Sequence, residues 1–233
     1  MAASVRQRAS ERSASVTSKK IRLLLWSGCL GAVIYFGGDM LCYGGWGSGR
    51  VSFIERMARV ALWRLHLCSI TAPVGTGFYL LGAFGLWFCC RRAAPRLAAL
   101  MVASLFTDFL FGGVWHGMGG PLGFAIQHCG LNSGAVDEIR KLVGILRSVC
   151  GYSGLVGFGI WIFLTLRKKC GVPRWTVFFC PLITLWLLAL MVYVPAPVGL
   201  PLAGGWGNIS HILWFAVLAI TYSDSGFEDQ KVK

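Results

Sequence analysis

The sequence predicts an all-α fold, a polytopic membrane bundle of six transmembrane helices with both termini cytoplasmic. Three observations carry that reading: an apolar composition, six stretches of spanning length, and an uneven distribution of basic residues between the connecting loops. Of the 233 residues, 56% are apolar and 13% charged, with a mean hydropathy of +0.66. A soluble domain carries roughly a quarter charged residues, so this composition excludes an ordinary soluble fold.

Crossing a hydrocarbon core of roughly 30 Å takes about 20 helical residues. Stretches near 23–44, 67–90, 97–117, 148–166, 175–194 and 204–222 meet that length. They form one domain, 21–222, between a basic, disordered cytosolic tail at 1–20 and a second cytosolic tail at 223–233. The first tail is rich in Arg, Ser and Ala with Glu11 as its sole acid, a composition shared by mitochondrial presequences; the plainer reading is a solvated segment that enforces topology. Span one is too long for a signal-peptide core and lacks a small-x-small cleavage site, so it is expected to remain in the mature protein.

Between spans one and two, Ser52-Phe53-Ile54-Glu55 reads as a capping box, with Glu55 and Arg59 as an i,i+4 pair, opening a helix expected to run straight into span two. Span two is interrupted by Pro73, Gly75 and Gly77, and Thr71 and Thr76 stand ready to satisfy carbonyls freed there. Span three is expected to end near His116, because Gly-Met-Gly-Gly-Pro-Leu-Gly at 117–123 is not expected to stay helical. Around 134–147, Val136, Ile139, Leu142, Val143 and Leu146 share one helical face, with Asp137 and Glu138 in the first turn. That helix is expected to lie flat on the outer leaflet before span four. Small-x-x-x-small pairs at Gly28/Ala32, Ala99/Ala103 and Ser153/Gly157 mark faces where helices can approach closely.

Sidedness follows from charge. Arg6, Arg8, Arg12, Lys19, Lys20, Arg22, the 91–96 loop with Arg91, Arg92 and Arg96, the 167–174 loop with Arg167, Lys168, Lys169 and Arg174, and the tail lysines Lys231 and Lys233 fall on one side. Arg50, Arg56, Arg59, Arg64, Arg140, Lys141 and Arg147 fall on the other, and the connection 195–207 has no charge. Fifteen of the 22 basic residues thus lie on the side of the termini, which makes that side cytoplasmic. Trp26, Trp87 and Trp175 at inner span ends, and Trp46, Trp63, Trp115 and Trp206 at outer ends, agree with headgroup-level anchoring. The net charge of +13 is therefore a topology signal, and the expected partner is the lipid bilayer, with no nucleic acid.

A charge in the bilayer costs about 2.5–3.5 kcal/mol on insertion scales, so Asp39 in span one and Asp108 in span three must face protein or water. At 1.5 Å per residue, Asp39 lies roughly 8 Å and Asp108 roughly 12 Å below the outer ends of their helices. His211 in span six comes out level with Asp108, Asn208 one turn above it, and His116 and His66 near the outer surface. Asp39 is expected to pair with Arg64, which opens span two on the same side. Taken singly, each residue is accounted for by helix packing; their joint placement in the outer half makes Asp39, Arg64, Asp108, His116, Asn208 and His211 the candidate ligand-binding set, for a small molecule or a lipid.

The sequence assigns no catalytic residue. It has no Gly-x-Ser-x-Gly elbow and no Ser-x-x-Lys pair. Asp108, His116, His211 and His66 could approach a tetrahedral metal set, but there is no His-x-x-x-His or Cys-x-x-Cys pair, so neither metal nor cofactor is expected. Cys42, Cys68, Cys129 and Cys150 cluster toward the outer side, open to a disulfide or to service as small apolar residues. Cys89 and Cys90, before Arg91 and Arg92, read as palmitoylation candidates. Asn208-Ile209-Ser210 matches a glycosylation triplet but lies too near the membrane for use.

GGDMLCYG at 37–44, RLHLCSITAPVGTGFYLLGAFGLW at 64–87, WHG at 115–117 and GGWGNISHILWF at 204–215 resemble an uncharacterised family of polytopic membrane proteins known mainly from bacteria. The resemblance implies a multi-pass helical fold with Asp39, Arg64, His116 and Asn208 at the family's polar positions, and brings no assigned activity. Seven-span ceramidase-type hydrolases place a His-x-x-x-His pair in the last span, which this sequence lacks. Three functions stay open: a small-molecule or ion transporter or receptor, an intramembrane lipid-modifying enzyme, and a structural or accessory subunit.

Overall fold

The computed structural model describes the backbone of residues 2–44 and 53–223 and the side chains from Ser18 onward. Among the described residues, five helices are long and apolar enough to cross a membrane. The first, α1 (Ala2–Cys42), includes the segment expected as a disordered tail, and its apolar portion is Ser18–Cys42. A short α2 (Phe53–Met57) precedes α3 (Leu62–Cys90). Next come α4 (Pro95–Gly117), α5 (Gly119–Cys129) and α6 (Gly134–Leu166). Residues 174–191 form a 3-10 turn (Arg174–Phe179), α7 (Pro181–Thr184), a second 3-10 turn (Leu185–Leu187) and α8 (Leu188–Met191), before α9 (Gly199–Thr221) closes the bundle.

Glycines set how closely the helices approach. A Cβ at Gly31 would meet the Gly75 carbonyl at 2.8 Å and the Tyr79 amide at 2.9 Å, so α1 and α3 touch backbone to backbone. Gly28, foreseen as a contact position, lies against Phe215 of α9 and Gly82 of α3. On the α4–α6 seam a Cβ at Gly157 would reach the Leu105 side chain at 2.7 Å. In lipid such proximity is what small residues contribute, since packing rather than water exclusion drives helix association. Along these seams α1 runs antiparallel to α3 and α9, and α4 to α3 and α6. Leu25, Leu86, Met101, Leu105, Trp161 and Trp214 fill the space between them.

Several local expectations are corrected. The capping serine Ser52 lies outside the described residues, as do Trp46 and Arg50. The helix at Phe53 does not continue into span two: it ends at Met57, and Gln127 holds the intervening turn by donating to the carbonyls of Met57 (2.9 Å) and Val60 (2.7 Å). The glycine-rich stretch 117–123 stays helical apart from the step at Met118, because Pro121 falls in the first turn of α5, where a missing N–H leaves no bond unmade. The amphipathic 134–147 segment does not lie apart from span four. Capped by Ser133, whose side chain accepts from the Val136 amide at 3.3 Å, it is the first part of one unbroken helix to Leu166.

The expected continuous span over 175–194 is replaced by short pieces. Pro181 has no N–H and biases its predecessor away from helix; Cys180 accordingly sits at φ −59°, ψ 134°, ending the first 3-10 turn. Trp206 ties this segment to α9 by donating to the Thr184 carbonyl at 2.8 Å. At the Cys90 end of α3, a disulfide joins Cys90 to Cys170, and Arg22 donates to the Tyr222 carbonyl at 2.8 Å. Cys42, Cys68, Cys129 and Cys150 are free.

Candidate functional site

Five helices bring polar residues together: α1 and α4 from their C-terminal halves, α6 from near its middle, and α3 and α9 from their central turns. Between them lies a cavity of about 470 Å3. Five of the six residues named from sequence line it, namely Asp39, Asp108, His116, Asn208 and His211.

Asp39 is 5% exposed and carries two side-chain contacts from other helices. Asn208 Nδ2 donates to Oδ2 at 2.7 Å, and His116 Nδ1 lies 3.2 Å from Oδ1. Asn208 is fixed in turn by Tyr79, whose hydroxyl donates to its Oδ1 at 3.1 Å. Tyr35 packs its ring 4.5 Å from that of His116 and shares a 2.5 Å hydrogen bond with Thr76, which itself donates to the Ala72 carbonyl beside Pro73. Helix α3 runs unbroken through Pro73, contrary to the expected interruption of span two, and its Thr76 supports the Asp39–His116 contact through Tyr35.

The expected Asp39–Arg64 ion pair is absent. Arg64 Nη2 instead donates to the carbonyls of Met40 (2.7 Å) and Gly44 (3.2 Å), capping the end of α1, and Arg64 does not line the cavity. The physical reason is that the C-terminal end of a helix carries partial negative charge and attracts a cation, even where, as at Met40, the carbonyl also accepts from a backbone amide, while Asp39 has Asn208 and His116 beside it.

Asp108, 7% exposed, faces α6 across a gap made by Gly154: a Cβ there would sit 3.0 Å from Oδ2. Cys150 Sγ donates to Oδ1 at 2.8 Å, and among the described residues no cation pairs with this carboxylate. His211 stands on α9 amid rings, with centroids 5.5 Å from Tyr79, 5.6 Å from Phe158 and 6.0 Å from Phe109. Its Nδ1 lies 2.8 Å from the Gly207 carbonyl, which only accepts, so Nδ1 is the protonated nitrogen and Nε2 keeps a lone pair when the ring is neutral. Arg147 lines the same cavity from an exposed position on α6, with its guanidinium 6.0 Å from the Trp115 ring centroid.

The other candidates separate from this site. His66 and His128 are exposed, and His128 Nδ1 bonds the Phe124 carbonyl of its own helix at 2.9 Å. Among the described residues no group of three or more His, Cys, Asp or Glu is placed to hold a metal ion. Cys89 is 1% and Cys90 0% exposed, with Cys90 in the disulfide, so neither presents a free surface thiol for acylation in this conformation. Sequence reasoning passed over Tyr79, Tyr35 and the role of Cys150. Tyr79 had a signal, a phenol placed mid-span; Cys150 was noticed only as one of several outer cysteines.

A family model described as a family of unknown function, DUF6796, matches residues 13–225. The chain belongs to that family. No curated protein and no solved structure matches it. Family membership spans all the cavity-lining helices and leaves the activity to be argued from the site.

Proposed function

We propose that this DUF6796 protein is a six-pass integral membrane protein that receives a small molecule or ion in its outer-half cavity, as a transporter or receptor. The observation that carries the reading is the convergence of Asp39, Asp108, His116, Asn208 and His211, from three helices far apart in sequence, on one cavity of about 470 Å3. Holding two carboxylates in an apolar bundle is costly, and a purely structural hydrogen bond needs no adjoining space. Carboxylate and imidazole side by side would also suit proton-linked binding.

A sixth crossing is supported by chain geometry. Helix α6 ends at Leu166, four residues before Cys170, whose disulfide ties it to the Cys90 end of α3, whereas α9 begins at Gly199 and its Gly204 carbonyl accepts from Tyr43 (2.7 Å) beyond the end of α1. These two ends support reading residues 171–198 as a further crossing made of short helices. The positive excess at the Cys90 end favours cytoplasmic termini, and the ligand would then enter from the exoplasmic side.

A lipid-modifying enzyme is the second reading, favoured by one feature: a carboxylate orienting a histidine through Nδ1 is how general bases are held. The test common to both is a side-chain-resolution map of purified protein, with mass spectrometry of small molecules released on denaturation. Density in the cavity supports binding; consistent absence of density and of released molecules favours the accessory-subunit reading.

A further inference from the structure

Most of the cavity's polar groups answer one another, and Asp108 is the exception. Asp39 receives an amide and an imidazole; Asn208 receives a tyrosine hydroxyl. Asp108 is at least nine-tenths buried and has only the Cys150 thiol, a weak donor, on one oxygen. Phe109 and Phe158 line the same cavity as Asp108, and its walls are mainly apolar. On the same cavity, His211 is held by the Gly207 carbonyl so that Nε2 is available as an acceptor. A buried carboxylate and an imidazole nitrogen that no cation of the described residues pairs with suit a ligand that brings N–H donors and positive charge together. A bare metal ion or hydrated sodium fits poorly, because the walls are mainly apolar and offer too few oxygen ligands; an organic cation is satisfied by one carboxylate and several rings.

We propose that Asp108 anchors the ammonium group of a small organic amine whose apolar body lies in the adjoining cavity against Phe158 and Leu155. The proposal rests on the reading of the cavity as a ligand site and adds the ligand's chemical class. Arg147, exposed and cationic on the same wall, would disfavour ligands bearing a second positive charge.

The test uses full-length protein purified in detergent and three probes of one shape: 2-phenylethylamine, the neutral 2-phenylethanol and the anionic 3-phenylpropionate, with binding measured by titration calorimetry. The expected result is at least tenfold tighter binding of the amine than of the alcohol, a preference that disappears in Asp108→Asn. If Asp108→Asn does not fold, Phe158→Leu serves instead, and the amine should weaken severalfold more than the alcohol because only the cation exploits the ring face. Equal binding of amine and alcohol to the unaltered protein would overturn the amine assignment and leave the small-molecule reading standing. So would tighter binding of 3-phenylpropionate, or stabilisation by sodium or zinc alone that depends on Asp108. If no probe binds and the cavity holds no density, both proposals fail together.

Discussion

Asn208 of α9 donates to the Asp39 carboxylate of α1 at 2.7 Å, joining residues 169 positions apart in the buried interior of the bundle. The amide also accepts from Tyr79, so three helices meet at one side chain. Replacing Asn208 with Leu removes both bonds and leaves two buried polar groups unsatisfied. The expected loss is about 1–2 kcal/mol of unfolding free energy, measurable by denaturation in detergent. Asn208→Asp should cost more, by setting a second carboxylate against Asp39. Unchanged stability in both variants would mean that the Asp39–Asn208 bond is not formed.

The replacement of an Asp39–Arg64 ion pair by an Asp39–His116 contact has a thermodynamic signature. In a double-substitution cycle, Asp39→Asn with His116→Gln should show coupling of about 0.5 kcal/mol or more, while Asp39→Asn with Arg64→Gln should be close to additive. Arg64→Gln acts separately, by uncapping Met40 and Gly44. The reverse pattern of coupling would restore the ion pair.

Two glycines on α6 give a matched comparison. A Cβ at Gly157 would press on the Leu105 side chain at 2.7 Å and its amide at 3.2 Å, whereas nothing lies within 4 Å of one at Gly159. Gly157→Val is expected to lower folded yield by forcing α4 and α6 apart, while Gly159→Ala is neutral or mildly stabilising through its better helix propensity, about 1 kcal/mol at most. Size-exclusion profiles and melting temperatures of the two variants check this; equal tolerance would mean that the α4–α6 seam is looser than described.

Topology is tested by labelling. Single cysteines at 193–198 should react with a membrane-impermeant thiol reagent from the exoplasmic side, and cysteines at 91–94 should not. The opposite pattern would invert the sidedness drawn from charge and place the cavity toward the cytoplasm.

The long apolar helices and their polar residues were legible because cost in lipid is a property of single residues: Asp39, Asp108, Asn208 and His211 could each be flagged, and their depth calculated, from rise per residue alone. Partners were not legible, because depth leaves helical rotation free. Arg64 was assigned to Asp39 by proximity in sequence and side, while the actual contacts, His116 and Asn208, depend on how α4 and α9 are turned. Apolar content also hid Pro181, whose effect on Cys180 breaks the 175–194 stretch, and glycine content concealed the continuity of 119–129, where Pro121 happens to fall in a first turn.

That Asp108 of α4 and His211 of α9 face one shared cavity is the central claim, and cross-linking tests it most directly. In protein whose native thiols have been blocked or replaced, cysteines at positions 108 and 211 together should be joined by a short bifunctional thiol reagent added from the exoplasmic side, giving a species resistant to separation after proteolysis between α4 and α9. Neither single substitution should give it. Failure of the pair to cross-link, in a protein that still folds and labels at 193–198, would contradict the shared cavity.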